Sequence, residues 1–295
     1  MSLQVIRPFD PWRTGSLCTC PFKYTVNPYT GCGHRCIYCY ITAYIKDAFN
    51  PRPKRDLIAR AERDLRRIPK GSIINVSSSS DPYTPPEDRL MLTRRLLAIL
   101  VKDYILEIVT KSSLVVRDLD IISKGKSLVQ MTITTMDLKV AERLEPNAPK
   151  PIERIKALKA VGGAGVPTVL RLDPILPGLN DNIDSIRRVI EEAAGAGVKH
   201  VVTSTYKAKP DSLRRVLAMF PELRDKYKTL YIEEGERIHG ALYLPRKIRR
   251  RILKTVREIA HEYGLTFATC REGFPELHDR DVTCNGVHLV EGWRQ

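Results

Sequence analysis

The sequence predicts an α/β fold, a full or partial (β/α) TIM-like barrel, from three observations. Short β-branched runs alternate with amphipathic helical patterns along most of the chain. No G-x-G-x-x-G follows the first strand, so a dinucleotide-binding doubly wound sheet has no fingerprint. Polar clusters follow several strands instead: Ser78-Ser79-Ser80-Asp81, Thr134-Thr135, Arg171 with Asp173, and Thr203-Ser204-Thr205-Tyr206. Functional groups at many strand C-termini are what a barrel face supplies.

In chain order, 71–77 is expected as a strand and 87–101 as a helix; 104–110 is the next strand and 114–123 the next helix. The run 127–134 is expected as a strand, 152–161 as a helix, 166–172 as a strand ending in Asp173-Pro174, and 183–194 as a helix. Residues 198–203 form a further expected strand, 213–220 and 246–263 helices, and 265–269 a late strand. Strands separated by helices imply right-handed crossovers and a parallel sheet. No repeat or low-complexity linker divides the chain. All of 1–295 is expected as one domain, with an N-terminal lead-in (about 1–22) and a C-terminal tail (about 270–295) packing at the barrel mouth.

No apolar run reaches the roughly 18 residues that a membrane span needs. The first residues lack the apolar stretch of a signal peptide. Seven cysteines in a chain of 295 residues, three of them in a metal-type motif, argue for a reducing cytoplasm rather than a disulfide scaffold. The formal charge of +15 suits a polyanionic partner, since each neutralised phosphate releases counterions. Arg246, Lys247, Arg249, Arg250, Arg251, Lys254 and Arg257 crowd one segment, and Arg60, Arg63, Arg66, Arg67 and Lys70 another. Arg249, Arg250 and Arg251 are the expected phosphate contacts. The alternative is a solvated helix face that needs no ligand, and the absence of interleaved aromatics weakens base stacking there.

Cys32, Cys36 and Cys39 stand in the run Asn27 to Tyr40 with C-x3-C-x2-C spacing and glycines at 31 and 33 that let the backbone turn tightly. Three thiolates on one loop can hold three corners of an iron–sulfur cube and leave one iron open. A zinc knuckle is the alternative; it wants four ligands, and His34 lies inside the loop. The run resembles the signature of the radical S-adenosylmethionine (SAM) superfamily, in which an aromatic residue commonly precedes the last cysteine, as Tyr38 does. Asn27 to Tyr40, Ser78 to Glu87, Thr134-Thr135 with Leu144-Glu145-Pro146, and Pro174 to Asp181 look like the spore-photoproduct-lyase-like, or DNA repair photolyase-like, group.

That resemblance, which covers about residues 20 to 206, implies a [4Fe–4S] cluster on Cys32, Cys36 and Cys39 with SAM chelated to the open iron. Reductive cleavage of SAM would give methionine and a 5′-deoxyadenosyl radical, which abstracts a hydrogen from a substrate buried in the barrel. It implies that Ser78, Ser80 and Asp81 accept hydrogen bonds from the SAM ammonium or ribose. Arg171 would pair with the SAM carboxylate, and Thr134 and Tyr206 would contact ribose and adenine. The competing roles are strand-end capping for the serines and threonines and an ion pair with Asp173 for Arg171. Spore photoproduct lyase carries a hydrogen-donating cysteine just after its second strand. This chain has Ser78 there, and a hydroxyl O–H bond is too strong for that task. Tyr40 and Tyr83 are the remaining candidate donors, against ordinary packing of two tyrosines.

Cys18, Cys20, Cys270 and Cys284 are left over. They can close a second site, an auxiliary cluster or zinc, with His278 and His288 as substitutes, or remain ordinary thiols; Cys270 or Cys284 is equally a candidate redox or hydrogen-donor thiol. The expected function is radical SAM chemistry on nucleic acid, of the DNA-lesion-repair type, with an electron donor such as ferredoxin or flavodoxin. The alternatives are radical modification of RNA or of a protein, and a non-catalytic iron–sulfur or zinc protein that binds nucleic acid.

Overall fold

The computed structural model describes residues 3–9 and 17–293. Part of the expected N-terminal lead-in and the last two residues of the tail lie outside the described residues. In chain order the strands are β1 (Ile6–Phe9), β2 (Lys23–Val26), β3 (Tyr29–Thr30), β4 (Arg52–Pro53), β5 (Ile73–Val76) and β6 (Ile105–Thr110). They continue with β7 (Ser127–Thr132), β8 (Thr168–Ile175), β9 (His200–Thr205), β10 (Glu236–Ile238), β11 (Ala241–Tyr243) and β12 (Thr266–Thr269). One eight-stranded sheet runs β1-β2-β5-β6-β7-β8-β9-β12, parallel throughout except for the antiparallel β1–β2 pair. β1 and β12 remain edges, so the barrel is the partial form.

The crossover helices form where apolar residues recur at helical spacing. Ile183–Gly195 buries Ile186, Val189, Ile190 and Ala193, and its Asn182 cap accepts from the Ser185 amide at 2.8 Å. Arg246–Glu262 likewise buries Ile252, Leu253, Val256, Ile259 and Ala260. Two expected helices differ. The 87–101 run breaks at Met91, which sits at φ 49° between Glu87–Leu90 and Leu92–Leu100. The buried Glu87 carboxylate causes the break: it accepts from the Tyr29 hydroxyl at 2.6 Å and from the Thr93 amide at 2.8 Å, capping the second helix. The 114–123 run is a 3-10 segment, Ser113–Asp118, followed by one α turn, Leu119–Ile122. There Arg117 holds Asp118 at 2.8 Å and Glu87 at 2.7 Å, which draws the chain inward.

Alternate residues of each strand face the hollow side of the sheet and stack in layers. The lowest layer is apolar: Ile73, Ile105, Leu128, Val169 and Val202, covered by Val287 and Val290 of the tail. The tail expected at the mouth therefore divides. Its end plugs the N-terminal ends of the strands, because an open sheet leaves that apolar layer uncovered, while Cys270, Arg271, Cys284 and Asn285 line the cavity above. Gly286 (φ +77°) is the crossing point, where a Cβ would lie 2.4 Å from Val169 Cγ2.

The layer above is polar and closed on itself. Lys23 Nζ donates to both Glu107 oxygens at 3.0 and 2.7 Å, and Gln130 Nε2 donates to Glu107 Oε1 at 2.7 Å. Asn285 Nδ2 donates to Glu107 Oε2 at 3.0 Å, and Arg171 Nη1 to Gln130 Oε1 at 2.7 Å. Glu107 is thus buried with its charge and its acceptors satisfied. No helix among the described residues is long and apolar enough to cross a membrane.

His200, fully buried at the start of β9, bonds Thr266 Oγ1 through Nδ1 at 2.9 Å and meets the His288 ring of the tail edge-on. Burial, then the nearby His288, depress it from 6.5 to about 3. A depressed histidine is neutral in the fold but charges in the unfolded chain, so its stability contribution is lost as pH falls from 6.5 towards 3. This one residue should remove about 1.4 kcal/mol per pH unit across that window. Comparing denaturant unfolding of the wild type and His200→Asn from about pH 7 to about pH 4 should show a shallower acid loss in the variant. Parallel slopes would remove His200 from the account.

Candidate active site

The cysteine loop is held from three sides. Asn27 Oδ1 accepts from the Ser79 amide at 3.1 Å and the Ser79 hydroxyl at 3.0 Å, and the Ser77 hydroxyl also donates to it. Ser80 Oγ accepts from the Gly31 amide at 3.0 Å, and Thr84 Oγ1 from the Gly33 amide at 2.7 Å. Gly31 (φ +89°) is obligatory: a Cβ would lie 2.8 Å from the Ala48 carbonyl oxygen. From the second side, the Ile37 amide donates to the Leu144 carbonyl at 2.9 Å, and the Tyr38 hydroxyl donates to Glu145, which pairs with Arg154 at 2.6 Å. From the third, Arg215 donates to the Ile37 and Cys39 carbonyls, both at 2.9 Å.

Asp81 ties this loop to the ends of β5 and β6. Its carboxylate accepts from the Lys111 amide and Thr110 Oγ1, both at 2.7 Å, and from the Tyr83 amide at 2.9 Å, and it faces His34 Nδ1 at 3.4 Å. Burial works against its charge, but His34 and these hydrogen bonds hold the carboxyl down at about 2. In return His34, despite burial, is pushed up to about 10 by Asp81 and the Cys32 thiolate. Burial likewise opposes the Cys32 thiolate, yet His34 draws the thiol down, while burial pushes Cys36 and Cys39 up.

The thiols of Cys32, Cys36 and Cys39 all line one cavity of about 750 Å³ at the C-terminal ends of the strands. Among the described residues no three His, Cys, Asp or Glu side chains converge as ligands of a single ion, the arrangement zinc requires. His34 is committed to Asp81. Three cysteines bordering one cavity, with no convergence on a single ion, are a donor set that would suit three corners of an iron–sulfur cube and would leave one iron open.

Several residues expected at a SAM site are engaged elsewhere. Ser78 faces the cavity, and its carbonyl accepts from the half-exposed Tyr40, whose hydroxyl donates at 2.7 Å. Ser80 and Asp81 border the cavity, but their polar atoms hold the cysteine loop. Arg171 borders it while pinned to Asp173 Oδ2 at 2.6 Å, the ion pair set against the carboxylate role. Tyr206 lines the wall with its hydroxyl on Ser212 Oγ at 2.7 Å. Thr134 does not reach the cavity: β7 ends at Thr132, which does, and Thr134 Oγ1 turns to Glu145 Oε1 at 3.1 Å. Tyr83 is 1% exposed, beside Asp118 and away from the cavity, so it is a packed residue and no hydrogen donor to a cavity substrate. Arg249 is also no surface phosphate contact. It is buried and pairs with Glu272 at 3.2 Å and Glu236 at 3.0 Å, underpinning the segment that carries Arg271; Arg250 is exposed, 3.6 Å from Glu276.

Sequence reasoning passed over Lys111, Lys207, Lys209, His239, Tyr243 and Arg271, all on the cavity wall. Lys207 pairs with Glu272 at 3.0 Å. Among the described residues, no carboxylate lies within 4.0 Å of the charged groups of Lys111, Lys209 or Arg271. Lys209 Nζ donates to the His239 and Gly240 carbonyls at 3.3 and 2.8 Å, and Arg271 Nε is buried with no hydrogen-bond partner among the described residues. Lys111 lies 5.6 Å from the Tyr38 ring centroid. Their position just past strand ends is the one available signal; the β10–β11 hairpin that brings His239 and Tyr243 in has no periodic pattern.

The geometry separates two roles for Asp81. Asp81→Ala orphans the Lys111 amide and removes the His34 counter-charge, costing on the order of 1–3 kcal/mol. The variant should lose iron per chain after anaerobic reconstitution and desalting, while bound iron in the wild type stays constant. Full iron retention with weakened SAM binding would make Asp81 a cofactor contact instead.

A family model described as the radical SAM superfamily matches residues 26–193. An uncharacterized protein of Mycobacterium tuberculosis is 26% identical over 265 residues, covering 83% of this chain and 76% of the relative. A radical SAM Nalpha-GlyT isomerase of Pseudomonas phage M6 is 25% identical over 203 residues, 66% of this chain and 42% of the phage protein. A spore photoproduct lyase mutant solved with dinucleoside spore photoproduct has the same fold, with a TM-score of 0.68 at 18% identity over 83% of this chain and 76% of that one. The cysteine loop, the open parallel sheet and the matched segment agree, and the chain belongs to the radical SAM superfamily of enzymes.

Proposed function

We propose that this enzyme acts on nucleic acid, at a base or base lesion delivered into the cavity. The observation that carries the reading is the cationic wall. Among the described residues, Lys111, Lys209 and Arg271 have no carboxylate within ion-pair reach, in a chain of formal charge +15. Cations without a carboxylate partner in a half-enclosed site attract anionic ligands and hold phosphates through charge-assisted hydrogen bonds. The spore photoproduct lyase of like fold was solved with a dinucleoside ligand, which supports the same substrate class.

The cluster with SAM, when bound, supplies a 5′-deoxyadenosyl radical for hydrogen abstraction. The chain's own residues do the rest. Cys32, Cys36 and Cys39 would hold the cluster, and Asn27, Ser80, Thr84 and Asp81 fix their loop. Ser78, Tyr40 and Tyr206 wall the chamber, and the layer below, with Glu107 saturated by Lys23, Gln130 and Asn285, closes it from beneath. The hairpin residues His239 and Tyr243 cover the opposite side. A dry chamber protects a radical from quenching and strengthens each polar contact. An electron donor such as ferredoxin or flavodoxin completes the scheme.

Two measurements test it. Under anaerobic reduction with SAM, 5′-deoxyadenosine release should rise when irradiated DNA is added, more than with undamaged DNA, RNA or protein; stimulation by RNA or by protein alone would move the enzyme to that class. Lys209→Gln with Arg271→Gln should flatten the log–log salt dependence of duplex binding by about 0.9 for each phosphate that is no longer neutralised, leaving uncoupled SAM cleavage in place. An unchanged slope would remove these cations from the interface.

A further inference from the structure

All seven cysteines of the chain border the same cavity. Three belong to the loop; the other four come from opposite ends of the sequence and gather together on the cavity lining. Cys18 and Cys20 precede β2, Cys270 follows β12, and Cys284 lies where the tail turns under the sheet. Cys20 Sγ is 3.1 Å from Cys284 Sγ across 264 residues of chain, and the Cys18 thiol also hydrogen-bonds to Cys20. Cys270 is held beside Arg171.

We propose that Cys20 and Cys284 form a reactive dithiol that exchanges with disulfides entering the cavity, and that they close on each other. The two sulfurs need approach by only about 1 Å to reach bonding distance. The same set of four is no single-ion site, since no three potential ligands among the described residues converge on one point.

The two thiols are unlike, as an attacking and a resolving thiol must be. Cys20 is half-buried, and Cys284 is 3% exposed. Hydrogen bonds from Cys18 and then Cys284, against burial and helped by Lys23 and Arg171, draw Cys20 well below the ordinary thiol range. The hydrogen bond to Cys20, with burial, pushes Cys284 up. A thiolate beside cations is the nucleophile in exchange, and a neighbouring protonated thiol supplies the second step.

The Cys20 thiolate attacks one sulfur of the incoming disulfide and expels the other as a thiolate. Cys284 then gives up its proton to that thiolate and attacks Cys20 Sγ, expelling the second thiolate. One disulfide is consumed and one formed, the protein loses two electrons, and the incoming disulfide gains them. The oxidant is a low-molecular-weight disulfide small enough for the cavity. The exchange does not depend on the nature of the radical substrate.

The test uses the cluster-loaded full chain, equilibrated anaerobically in glutathione buffers of increasing oxidation, quenched with an alkylating agent and mapped by peptide mass. A Cys20–Cys284 cross-link should rise with the oxidised fraction, remove two alkylatable thiols, and reverse with dithiothreitol. Cys20→Ser should abolish it and Cys18→Ser preserve it. Cys284→Ser should accumulate a glutathione adduct on Cys20, which keeps the assignment testable if one variant folds poorly. Full alkylation of both cysteines in every buffer overturns the proposal. So does zinc, or iron beyond that of one cluster, that shields these thiols and is lost in Cys20→Ser, since the wall would then be a metal site.

Discussion

The Asp81 carboxylate is the group through which the strand ends hold the cysteine loop. It stands where the chain leaves β5, takes two hydrogen bonds from Thr110 and Lys111 at the end of β6, and faces the only histidine in the cysteine loop. A buried carboxylate with so many donors remains ionised, and an ionised carboxylate fixes a charged imidazole next to Cys32. The loop between β2 and the first crossover is long and of low regularity. That anchor, with Asn27 holding the Ser77–Ser80 turn, adds to the bond from the Cys32 amide to the Ala48 carbonyl at 2.7 Å and to the grip of Arg215 in keeping three thiols on one side. The cysteine loop is therefore positioned by the strand ends and neighbouring helices together with its own short β3–β4 pair.

A second constraint follows from leaving the barrel open. A closed barrel fills its interior with side chains from all strands. Here β1 and β12 do not pair, so the inner face needs cover from elsewhere, and the tail supplies it in two chemistries. Val287 and Val290 meet the apolar floor, and Asn285 donates to Glu107 in the polar layer one step higher. Polar residues deep in the hollow are stable because each is paired: Lys23 with Glu107, Arg171 with Gln130 and Asp173. For Arg171 that pairing is the internal ion pair set against the expected contact with the SAM carboxylate. Removing it from Asp173 would strip that carboxylate of its closest cation.

The parts legible in the sequence were those with a period or a spacing. Strand–helix alternation from β5 to β12 and the triad of cysteines are local patterns, and they translated into the parallel sheet and the loop facing its mouth. Geometry set by tertiary contacts was not legible. Met91 breaks a well-patterned helix because Glu87 folds back on the following turn, and a periodicity argument contains no term for a buried carboxylate 58 residues from its tyrosine partner. The same holds for Thr134 and Tyr83. Thr134 reads as the last residue of its strand, and a two-residue difference in where β7 ends decides the side to which it turns, while Tyr83 sits in an irregular turn whose path is set by contacts distant in sequence. Arg249 reads as one of three consecutive surface arginines, and only the helix phase separates the buried one from its neighbours.

The cations escaped notice for a related reason. Counting charge located the arginine-rich helices, whose side chains have carboxylate partners or open water. Lys209 and Arg271 are isolated in sequence and stand out because no carboxylate among the described residues lies within ion-pair reach of them. A site is distinguished by charges left uncompensated where a ligand has room to sit, and compensation is a property of neighbours in space. Under the proposed nucleic-acid reading, two lysines and an arginine around the cavity would hold the ligand's phosphates, and the large basic excess elsewhere would draw the polyanion to the surface. The two scales do different work: long-range attraction depends on net charge and falls with salt, whereas recognition depends on the few half-buried groups that salt screens least.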